Sequence, residues 1–435
     1  MNPLHIDGQL QWVLVQWLVI MAAAWAFGRL GRRLLNQPLA VGEIAAGILL
    51  GPSALGIVWP ADWPVLFSAE TQPILQFLGK LGLILLLFQV GMEFDYSHLK
   101  TRSRTVTMVS LLGILAPSLC GLALLPWLHD RFAPATPRLG FGLFFCLALS
   151  ISALPIMGRI LLERKLERTA VGVMSISAAA IDDVIGWIFL GVATLLTTTG
   201  FNSWKLLLQV AGLIAFFLLL HKVIGPWLRQ LWRRQAARDR GDPMSGPFLV
   251  VLLTGLFLSC LATQALGVFV IFGAFLFGTA LHQEPGLVKA WRDRFSDLVL
   301  VAFVPVFFTN TGLNTRIGSL QTEEAWLACA LVLLAAVAGK LGGCYMGARL
   351  TGQSSAHAGC IAALMNTRAL MALVAINVGR ELGLLTPPLF TMLVIMALLT
   401  TAMCGPLLQW WLTADANPQT APLTPRPAPI AGAEL

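Results

Sequence analysis

Thirteen apolar runs, each long enough to form a membrane-spanning helix, follow one another along this chain of 435 residues. A hydrocarbon core about 30 Å thick requires about 20 apolar residues in a helix. Hydrophobic residues make up 57% of the sequence and charged residues 11%, whereas soluble domains carry about 25% charged residues. The sequence therefore predicts an all-α polytopic membrane protein whose solvent is the lipid bilayer. The predicted spans are residues 11–28, 39–58, 74–92, 105–127, 139–161, 170–196, 204–228, 246–265, 267–283, 298–314, 325–348, 357–379 and 388–412.

The distribution of basic residues predicts how these spans are oriented. Of the 29 Lys and Arg residues, 20 fall in the carboxyl-terminal tail and in the loops after odd-numbered spans, five fall in the opposite loops and four lie within spans. Cytoplasmic loops carry the excess of positive charge, so we expect the amino terminus outside and the carboxyl terminus in the cytoplasm. Because the basic residues form no continuous face, the net charge of +8 does not indicate nucleic-acid binding.

An odd number of spans fits two inverted six-helix repeats that are joined by a linker helix. Residues 46–51 in the second span resemble residues 273–278 in the ninth, and residues 89–92 in the third resemble residues 310–313 in the tenth. Inverted repeats are typical of secondary transporters, which bind their ions near the bilayer midplane where helices are broken. The repeat therefore favours a midplane site.

Two adjacent acids, Asp182 and Asp183, lie near the middle of the sixth predicted span. An ionisable residue at the centre of a membrane helix costs about 2.5–3.5 kcal/mol on insertion scales. Consecutive helical residues point about 100° apart, so one carboxyl can face water while the other faces a neighbouring helix. Two like charges this close are also costly to ionise together. We interpret the pair as a site where protons and a small cation compete for the same oxygens, with a static ion pair as the alternative.

Lys340 is the predicted counter-charge of the first acid. It lies deep in the eleventh span within residues 338–343, where small side chains permit close approach of helices. Because it is far from both ends of the span, it requires an acidic partner, and Asp182 is the candidate. By contrast, Lys222 and its neighbour His221 lie near the inner end of the seventh span, where a long basic side chain can reach the interface.

Arg368 follows Asn366 and Thr367 near the middle of the twelfth span, a composition unsuited to a lipid-facing helix. Arg keeps its charge in proteins, so it must meet an acid, backbone carbonyls or water. Glu43 in the second span is one acid at a suitable depth. The sequence assigns no role to Lys80 in the third span.

The fifth span contains a predicted helix break. Pro155 frees the carbonyl of Ile151, four residues earlier. Broken helices at membrane depth line protein or water. Free carbonyls, the hydroxyls of Ser150 and Ser152 and an Asp carboxylate would together provide hard oxygen ligands for a monovalent cation, and an ordinary proline kink is the alternative.

Several short motifs are specific when they occur together and in order. They are residues 42–53, residues 153–161, the Asp182-Asp183 pair, Gly339-Lys340 and Asn366-Thr367-Arg368. With these motifs the chain resembles, over nearly its whole length, the monovalent cation:proton antiporters of the second branch. That branch includes bacterial Na⁺/H⁺ and Kef-type K⁺/H⁺ antiporters and plant cation/H⁺ exchangers.

The resemblance implies a transporter that exchanges Na⁺ or K⁺ for protons by alternating access, with no enzymatic activity and no cofactor. It implies a homodimer in the inner membrane of a bacterium. In the family, the second of two adjacent aspartates binds the cation and the first pairs with the lysine of the eleventh span. These roles correspond to Asp183 for the cation and to Asp182 with Lys340 for the ion pair.

The resemblance also implies a division of the chain into domains. The dimerisation domain comprises the first three and the eighth to tenth helices, and the core comprises the fourth to sixth and the last three. In the core, broken helices cross near Asp183. The ranges are 1–104 and 241–320 for dimerisation, 105–200 and 321–412 for the core, 201–240 for the linker helix and 413–435 for a disordered cytoplasmic tail.

One departure from the family pattern bears on ion preference and pH response. Ala372 stands where relatives often carry an acid, four residues after the arginine. Two other functions compete with antiport: a cation channel and a sodium-coupled solute symporter. An intramembrane aspartyl protease is disfavoured, because it needs two aspartates on different helices that face each other.

Overall fold

The computed structural model of the chain is helical throughout the residues that it describes, and no strand occurs among them. This is the expected outcome in lipid, where a segment must satisfy its own backbone hydrogen bonds. The described residues are 3–35, 39–60, 63–68, 70–93, 104–164, 166, 169–199, 203–238, 244–368 and 370–414.

Besides two unnumbered single-turn α-helices, Leu55–Val58 and Trp63–Leu66, and four short π- or 3₁₀-helical segments, the described residues form seventeen numbered α-helices. They are α1 (Pro3–Leu35), α2 (Leu39–Leu50), α3 (Gln72–Glu93), α4 (Arg104–Phe132), α5 (Arg138–Ser150), α6 (Leu154–Glu163), α7 (Ala170–Thr199), α8 (Ser203–Leu219), α9 (Gly225–Arg238), α10 (Gly246–Ala265), α11 (Val270–Thr279), α12 (Pro285–Trp291), α13 (Val304–Leu313), α14 (Glu323–Leu350), α15 (Ser355–Met365), α16 (Leu370–Glu381) and α17 (Pro387–Ala414).

The chain is an all-helical polytopic membrane protein with ten helical segments that are long and apolar enough to cross a bilayer in its described part. The bent pair Pro285–Ser296 and Val299–Ser319, with 45° between its halves, would make an eleventh. Two predicted spans, 139–161 and 267–283, contain the shorter apolar helices α5 and α11. Thirteen spans and the inverted repeat therefore stay predictions.

Several predicted boundaries cannot be compared with the helices. The positions at which the linker helix was expected to begin and end, residues 201 and 240, lie outside the described residues. So does the predicted tail after residue 414.

Two membrane helices are interrupted, and their interruptions touch. The first lies between α5 and α6, where Ile151 is extended with φ −78° and ψ 135°. The second lies between α15 and α16 and includes Thr367. The backbone N–H of Ala153 donates to the carbonyl oxygen of Thr367 at 2.9 Å. Pro155 is the second residue of α6, a position that proline tolerates, and its side chain lies outside the described part of the chain.

Small residues bring α4 and α14 into close contact. A Cβ atom built on Gly339 would lie 2.5 Å from Cα of Pro117, and one on Gly347 would lie 2.6 Å from the carbonyl oxygen of Met108. Gly343 lies midway between them and meets the carbonyl oxygen of Leu112. These three glycines, spaced four residues apart, form a glycine stripe that allows the backbones of α4 and α14 to touch. The close contact keeps Lys340, which follows Gly339, inside the bundle.

Replacing Gly343 by Leu is expected to lower the thermal unfolding midpoint of the purified protein. The new side chain would overlap the α4 backbone, and overpacking of this kind costs about 1–3 kcal/mol. Gly342→Leu is the matched control, because a Cβ at Gly342 meets nothing within 4 Å. Equal midpoints for the two variants would contradict the close α4–α14 contact.

The helices pack into two groups. The first group contains α1, α2, α3, α10, α11 and α13, and the second contains α4 to α7 and α14 to α17. α8 contacts α7 and continues through a π-helical turn, Leu220–Ile224, into α9. Pro226 lacks the N–H that an α-helical bond would need at this point, which explains the wider turn.

Candidate ion-binding site

A fully buried ion pair lies at the centre of the second helix group. Oδ2 of Asp182 on α7 is 2.7 Å from Nζ of Lys340 on α14, and both side chains have 0% exposure. Ser110 of α4 donates to Oδ1 of Asp182 at 2.6 Å, and the Ser152 hydroxyl lies 3.0 Å from Oδ2. The predicted contact between Lys340 and Asp182 is therefore present. Three donors surround this carboxylate and offset its loss of water.

Two buried cations meet the carboxyl-terminal end of α5. Lys340 donates to the carbonyl oxygen of Ser150 at 2.5 Å, and Arg368 donates through Nη2 to the carbonyl oxygen of Leu149 at 2.6 Å. The last carbonyls of a helix lack partners within the helix and carry partial negative charge. The break after Ser150 thus creates a negative helix end inside the membrane, and the two basic side chains compensate it.

The two predicted serine ligands lie beside the ion pair. The Ser150 hydroxyl donates to the carbonyl oxygen of Cys146 at 2.6 Å and lies 2.7 Å from the Ser118 hydroxyl. The Ser152 hydroxyl lies 2.9 Å from the carbonyl oxygen of Met365 as well as near Asp182, and its single proton can serve one of these acceptors at a time. Both hydroxyls are thus engaged with groups other than Asp183.

Asp183 has a different environment from its neighbour. Its side chain is 5% exposed. Its Oδ1 atom is buried and has no hydrogen-bond partner among the described residues. A buried polar atom without a partner is costly, and most such atoms in native proteins are satisfied by protein, water or an ion. Asp183 therefore presents an oxygen that a proton or a cation would stabilise.

The predicted partner of Arg368 was wrong. The arginine has 1% exposure, and its guanidinium donates to the carbonyl oxygens of Leu149 and of Ala336, the latter at 2.8 Å. Glu43 lies on α2 in the first helix group, where its own carbonyl oxygen accepts from the Thr309 hydroxyl at 3.2 Å. The end of α5 leaves the Leu149 carbonyl free, and the Ala336 carbonyl comes from the middle of α14. Arg368 is therefore held by backbone carbonyls and not by Glu43.

The remaining predicted residues of the twelfth span shape the second interruption. The Asn366 amide donates to the carbonyl oxygen of Thr400 at 3.4 Å, and the Thr367 hydroxyl donates to that of Leu364 at 2.9 Å. The hydroxyl of Thr401 donates to the carbonyl oxygen of Arg368 at 2.5 Å. The contacts of Asn366 and Arg368 hold the interruption against α17, and the hydrogen bonds of Asn366 and Thr367 go to backbone carbonyls of other residues.

Sequence reasoning missed three hydroxyl residues of this region: Ser110, Ser118 and Thr401. Ser110 and Ser118 both lie in α4, and Thr401 follows Thr400 in α17; these helices are mainly apolar but carry several other polar residues. The two serines lie on α4, the helix that packs on the glycine stripe of α14. The glycine stripe predicts that another helix packs closely against α14. Serine hydroxyls in an apolar helix such as α4 were the sequence signal that could have identified the two serines.

A polar cavity of about 150 Å³ separates the two helix groups. Its walls come from α3 and α13 of the first group and from α16 of the second. Lys80 on α3 lies 3.0 Å from Glu381 on α16. Asn377 on α16 donates to the Thr311 hydroxyl on α13 at 3.1 Å. Lys80, which had no role from sequence, therefore joins the two groups across this cavity.

Comparisons with known proteins agree with these features. The family model for the transmembrane sodium/hydrogen exchanger matches residues 18–414. The Na⁺/H⁺ antiporter NhaS4 of Synechocystis sp. is 34% identical over 397 residues, which cover 91% of this chain and 96% of that protein. Cation/H⁺ antiporter 20 of Arabidopsis thaliana is 32% identical over 418 residues, 93% of this chain. The chain spans 49% of that plant relative, about half of its length.

A solved structure shares the fold. The sodium proton antiporter MjNhaP1 from Methanocaldococcus jannaschii at pH 8 superposes with a TM-score of 0.66 and 16% sequence identity, and the match covers 94% of this chain and all of that one. The family model, which matches most of the chain, and the sequence identity to NhaS4 both indicate the same family. The chain therefore belongs to the transmembrane sodium/hydrogen exchanger family, whose members are multi-pass cation/proton antiporters and not enzymes.

Proposed function

We propose that this protein exchanges a monovalent cation, Na⁺ or K⁺, for protons by alternating access, and that the cation and a proton compete for Asp183. The observation that carries the proposal is the unpartnered Oδ1 of Asp183, buried in the membrane part of an antiporter-family chain. Its neighbour Asp182 is already compensated by Lys340. The two acids thus have separate roles, one as the exchange site and one as the fixed ion pair.

Competition at a single carboxylate is sufficient to couple the two fluxes. When ionised, Asp183 attracts a cation, and when protonated it is neutral and the metal leaves. An empty, ionised carboxylate is costly at membrane depth, so the protein changes its access side with either a cation or a proton bound. Backbone carbonyls at the two interruptions and the hydroxyl of Ser152 are the oxygens that would complete the site after a small rearrangement of their present hydrogen bonds.

Alternating access requires that two parts of the chain move relative to each other. The two helix groups are our candidates: the first for a dimerisation domain in a homodimer, the second for the mobile core, with α8 and α9 as the linker. The predicted repeat equates α2 with α11 and α3 with α13. Gly47 of α2 packs on Gly312 of α13, and Gly278 of α11 packs on Gly91 of α3. The two helix pairs correspond in the predicted repeat, although the glycines do not correspond one by one, since Gly47 aligns with Ala274 and Gly278 with Gly51. Close packing of both helix pairs supports the inverted repeat.

The setting of this activity is also part of the proposal. We infer the inner membrane of a bacterium, which the bacterial relative NhaS4 supports. The distribution of Lys and Arg supports an external amino terminus and a cytoplasmic carboxyl terminus.

Competition predicts a specific pH dependence of transport. The full chain in proteoliposomes is given increasing Na⁺ or K⁺ at several pH values, and proton movement is recorded with a pH-sensitive dye. We expect the apparent KM for the cation to rise as pH falls, by up to about tenfold per pH unit for one competing proton. The maximal rate at saturating cation should stay unchanged.

The same measurement separates antiport from its rivals. A cation channel would pass current without moving protons against a gradient, and a sodium-coupled symporter would require an organic solute. A KM that is independent of pH, with a maximal rate that falls instead, would contradict competition at Asp183.

A further inference from the structure

A large apolar cavity, which we call the linker groove, lies where α7, α8 and α11 meet. Its volume is about 460 Å³, within the range of about 300–1,000 Å³ that is typical of small-ligand sites. Among its described lining residues, Thr279 carries the one hydroxyl and none carries a charge. Representative lining residues are Trp187, Leu195, Leu213, Phe217, Phe275 and Thr279.

The linker groove opens to the surface between helical segments that are apolar enough to cross a bilayer. Ile188 of α7 and Ile214 of α8 line it and are 57% and 56% exposed. Two buried aromatic side chains also line it: Trp187 of α7 stacks on Phe275 of α11 with ring centroids 5.2 Å apart. Apolar cavities exclude water, so the natural occupant of a groove that opens to lipid is an acyl chain.

Basic side chains cluster at one end of the groove. Thr279 at this end lies 3.4 Å from Nε2 of His221, whose ring lies 4.0 Å from the ring of Phe217. Arg229 and His282 are close enough to interact electrostatically with His221. The apolar wall thus runs directly into a group of cationic or potentially cationic side chains.

Neither Arg229 nor Lys222 forms an ion pair with an acid among the described residues. Arg229 donates to the side-chain oxygen of Gln283, which is neutral. Glu284 is paired with Arg233 at 2.8 Å. Lys222, next to His221, is exposed. An anionic group at this end would therefore meet the positive charges of Arg229 and Lys222.

We propose that the linker groove binds an anionic phospholipid from the bilayer leaflet at the Thr279 end, which is the cytoplasmic leaflet in the predicted orientation. One acyl chain fills the groove between α7 and α11, and the phosphate lies against Arg229 and Lys222. The charge of this end selects an anionic over a zwitterionic headgroup. The proposal concerns binding alone and does not rest on the proposed exchange activity.

The test is native mass spectrometry of the full chain in detergent with equimolar phosphatidylglycerol and phosphatidylcholine that carry the same acyl chains. We expect one retained lipid per chain, predominantly phosphatidylglycerol. Arg229→Gln and Lys222→Gln should each weaken phosphatidylglycerol binding by about fivefold, the effect of one basic side chain near an anionic surface. Neither change should weaken phosphatidylcholine binding.

A second variant fills the groove itself. A Cβ at Gly191, a lining residue, would meet its nearest neighbour, Cγ1 of Val268, at 3.7 Å, so Gly191→Leu fits and should abolish lipid retention. Gly405→Leu, where a Cβ meets nothing within 4 Å, is the matched control and should retain the lipid. Unchanged thermal midpoints verify that both variants fold.

Two results would overturn the proposal. Equal retention of the two lipids by the unmodified protein would show that the basic end selects no headgroup. Retention by Gly191→Leu at the level of the control would show that the lipid binds elsewhere. A dimer that Gly191→Leu disrupts, with no lipid retained by either protein, would identify a second copy of the chain as the occupant and also overturn it.

Discussion

Proteoliposomes that contain Asp183→Asn are expected to show no cation-driven proton movement above that of liposomes without protein. Asparagine is close to aspartate in shape, but it has no negative charge to attract Na⁺ or K⁺ and cannot carry a proton through the cycle. Competition requires one group that can hold either a cation or a proton. Because asparagine can hold neither in this way, proton movement should be lost at every pH and cation concentration. The measurement is dye-reported proton flux after addition of either cation.

The stability of this variant distinguishes loss of a transport group from loss of the fold. Asp183→Asn removes the charge from a buried side chain whose Oδ1 has no partner among the described residues, so its unfolding midpoint should equal or exceed that of the unmodified protein. Asp182→Asn should do the opposite. It would leave the buried ammonium of Lys340 without its carboxylate, which costs about 3–5 kcal/mol.

Glu70→Gln is the control for loss of a carboxyl as such, because Glu70 is exposed. It should keep both its flux and its midpoint. Exchange by Asp183→Asn at the rate of this control would contradict the assignment of the cation to Asp183. A large fall in the midpoint of Asp183→Asn would instead indicate that this acid has a structural role, as in the alternative of a static ion pair.

The contact between Asp182 and Lys340 could be predicted from sequence because the membrane leaves few alternatives. Each residue lies deep in an apolar run, and a charge at that depth needs an opposite charge. An acidic and a basic residue at this depth on different spans can therefore be predicted to pair, although 158 positions separate Asp182 and Lys340. The motifs of the family resemblance agreed with this reasoning, and the fold class followed from the apolar runs alone.

The surroundings of Arg368 could not be predicted in this way. Depth in the membrane shows that a cation needs a partner, but it does not show which backbone carbonyls are free. The Leu149 carbonyl is free because α5 ends at Ser150, whereas the Ala336 carbonyl lies within α14. The position of Arg368 beside both depends on how the helices pack. For the same reason, apolar runs gave the approximate spans but not the short lengths of α5 and α11.

The contact between Lys80 and Glu381 was also beyond sequence analysis, since Glu381 ends α16 and water can satisfy its charge, while Lys80 lies inside α3 with no acid that the sequence alone assigns to it. Their side chains are 45% and 38% exposed, and such an ion pair contributes only about 0–1 kcal/mol. The position of this ion pair is more informative than its contribution to stability. It joins α3 of the first helix group to α16 of the second across a polar cavity, where alternating access requires the groups to separate.

Cross-linking these two positions is expected to stop exchange completely. In Lys80→Cys/Glu381→Cys, a short bis-methanethiosulfonate would bind the groups together on this side, so Asp183 could no longer be exposed alternately. A reducing agent should restore the flux. Without the reagent, the variant should lose little activity, since it lacks only a weak surface ion pair.

A cross-link within one group provides the matched control. Gln72 on α3 donates to Asn310 on α13 at 2.9 Å, and both helices belong to the first group. Gln72→Cys/Asn310→Cys should therefore continue to exchange after the same treatment, because no movement between its two positions is required. If both cross-linked proteins kept their flux, the two helix groups would not be the moving parts. If both lost it, the reagent would be blocking the cavity instead of the motion.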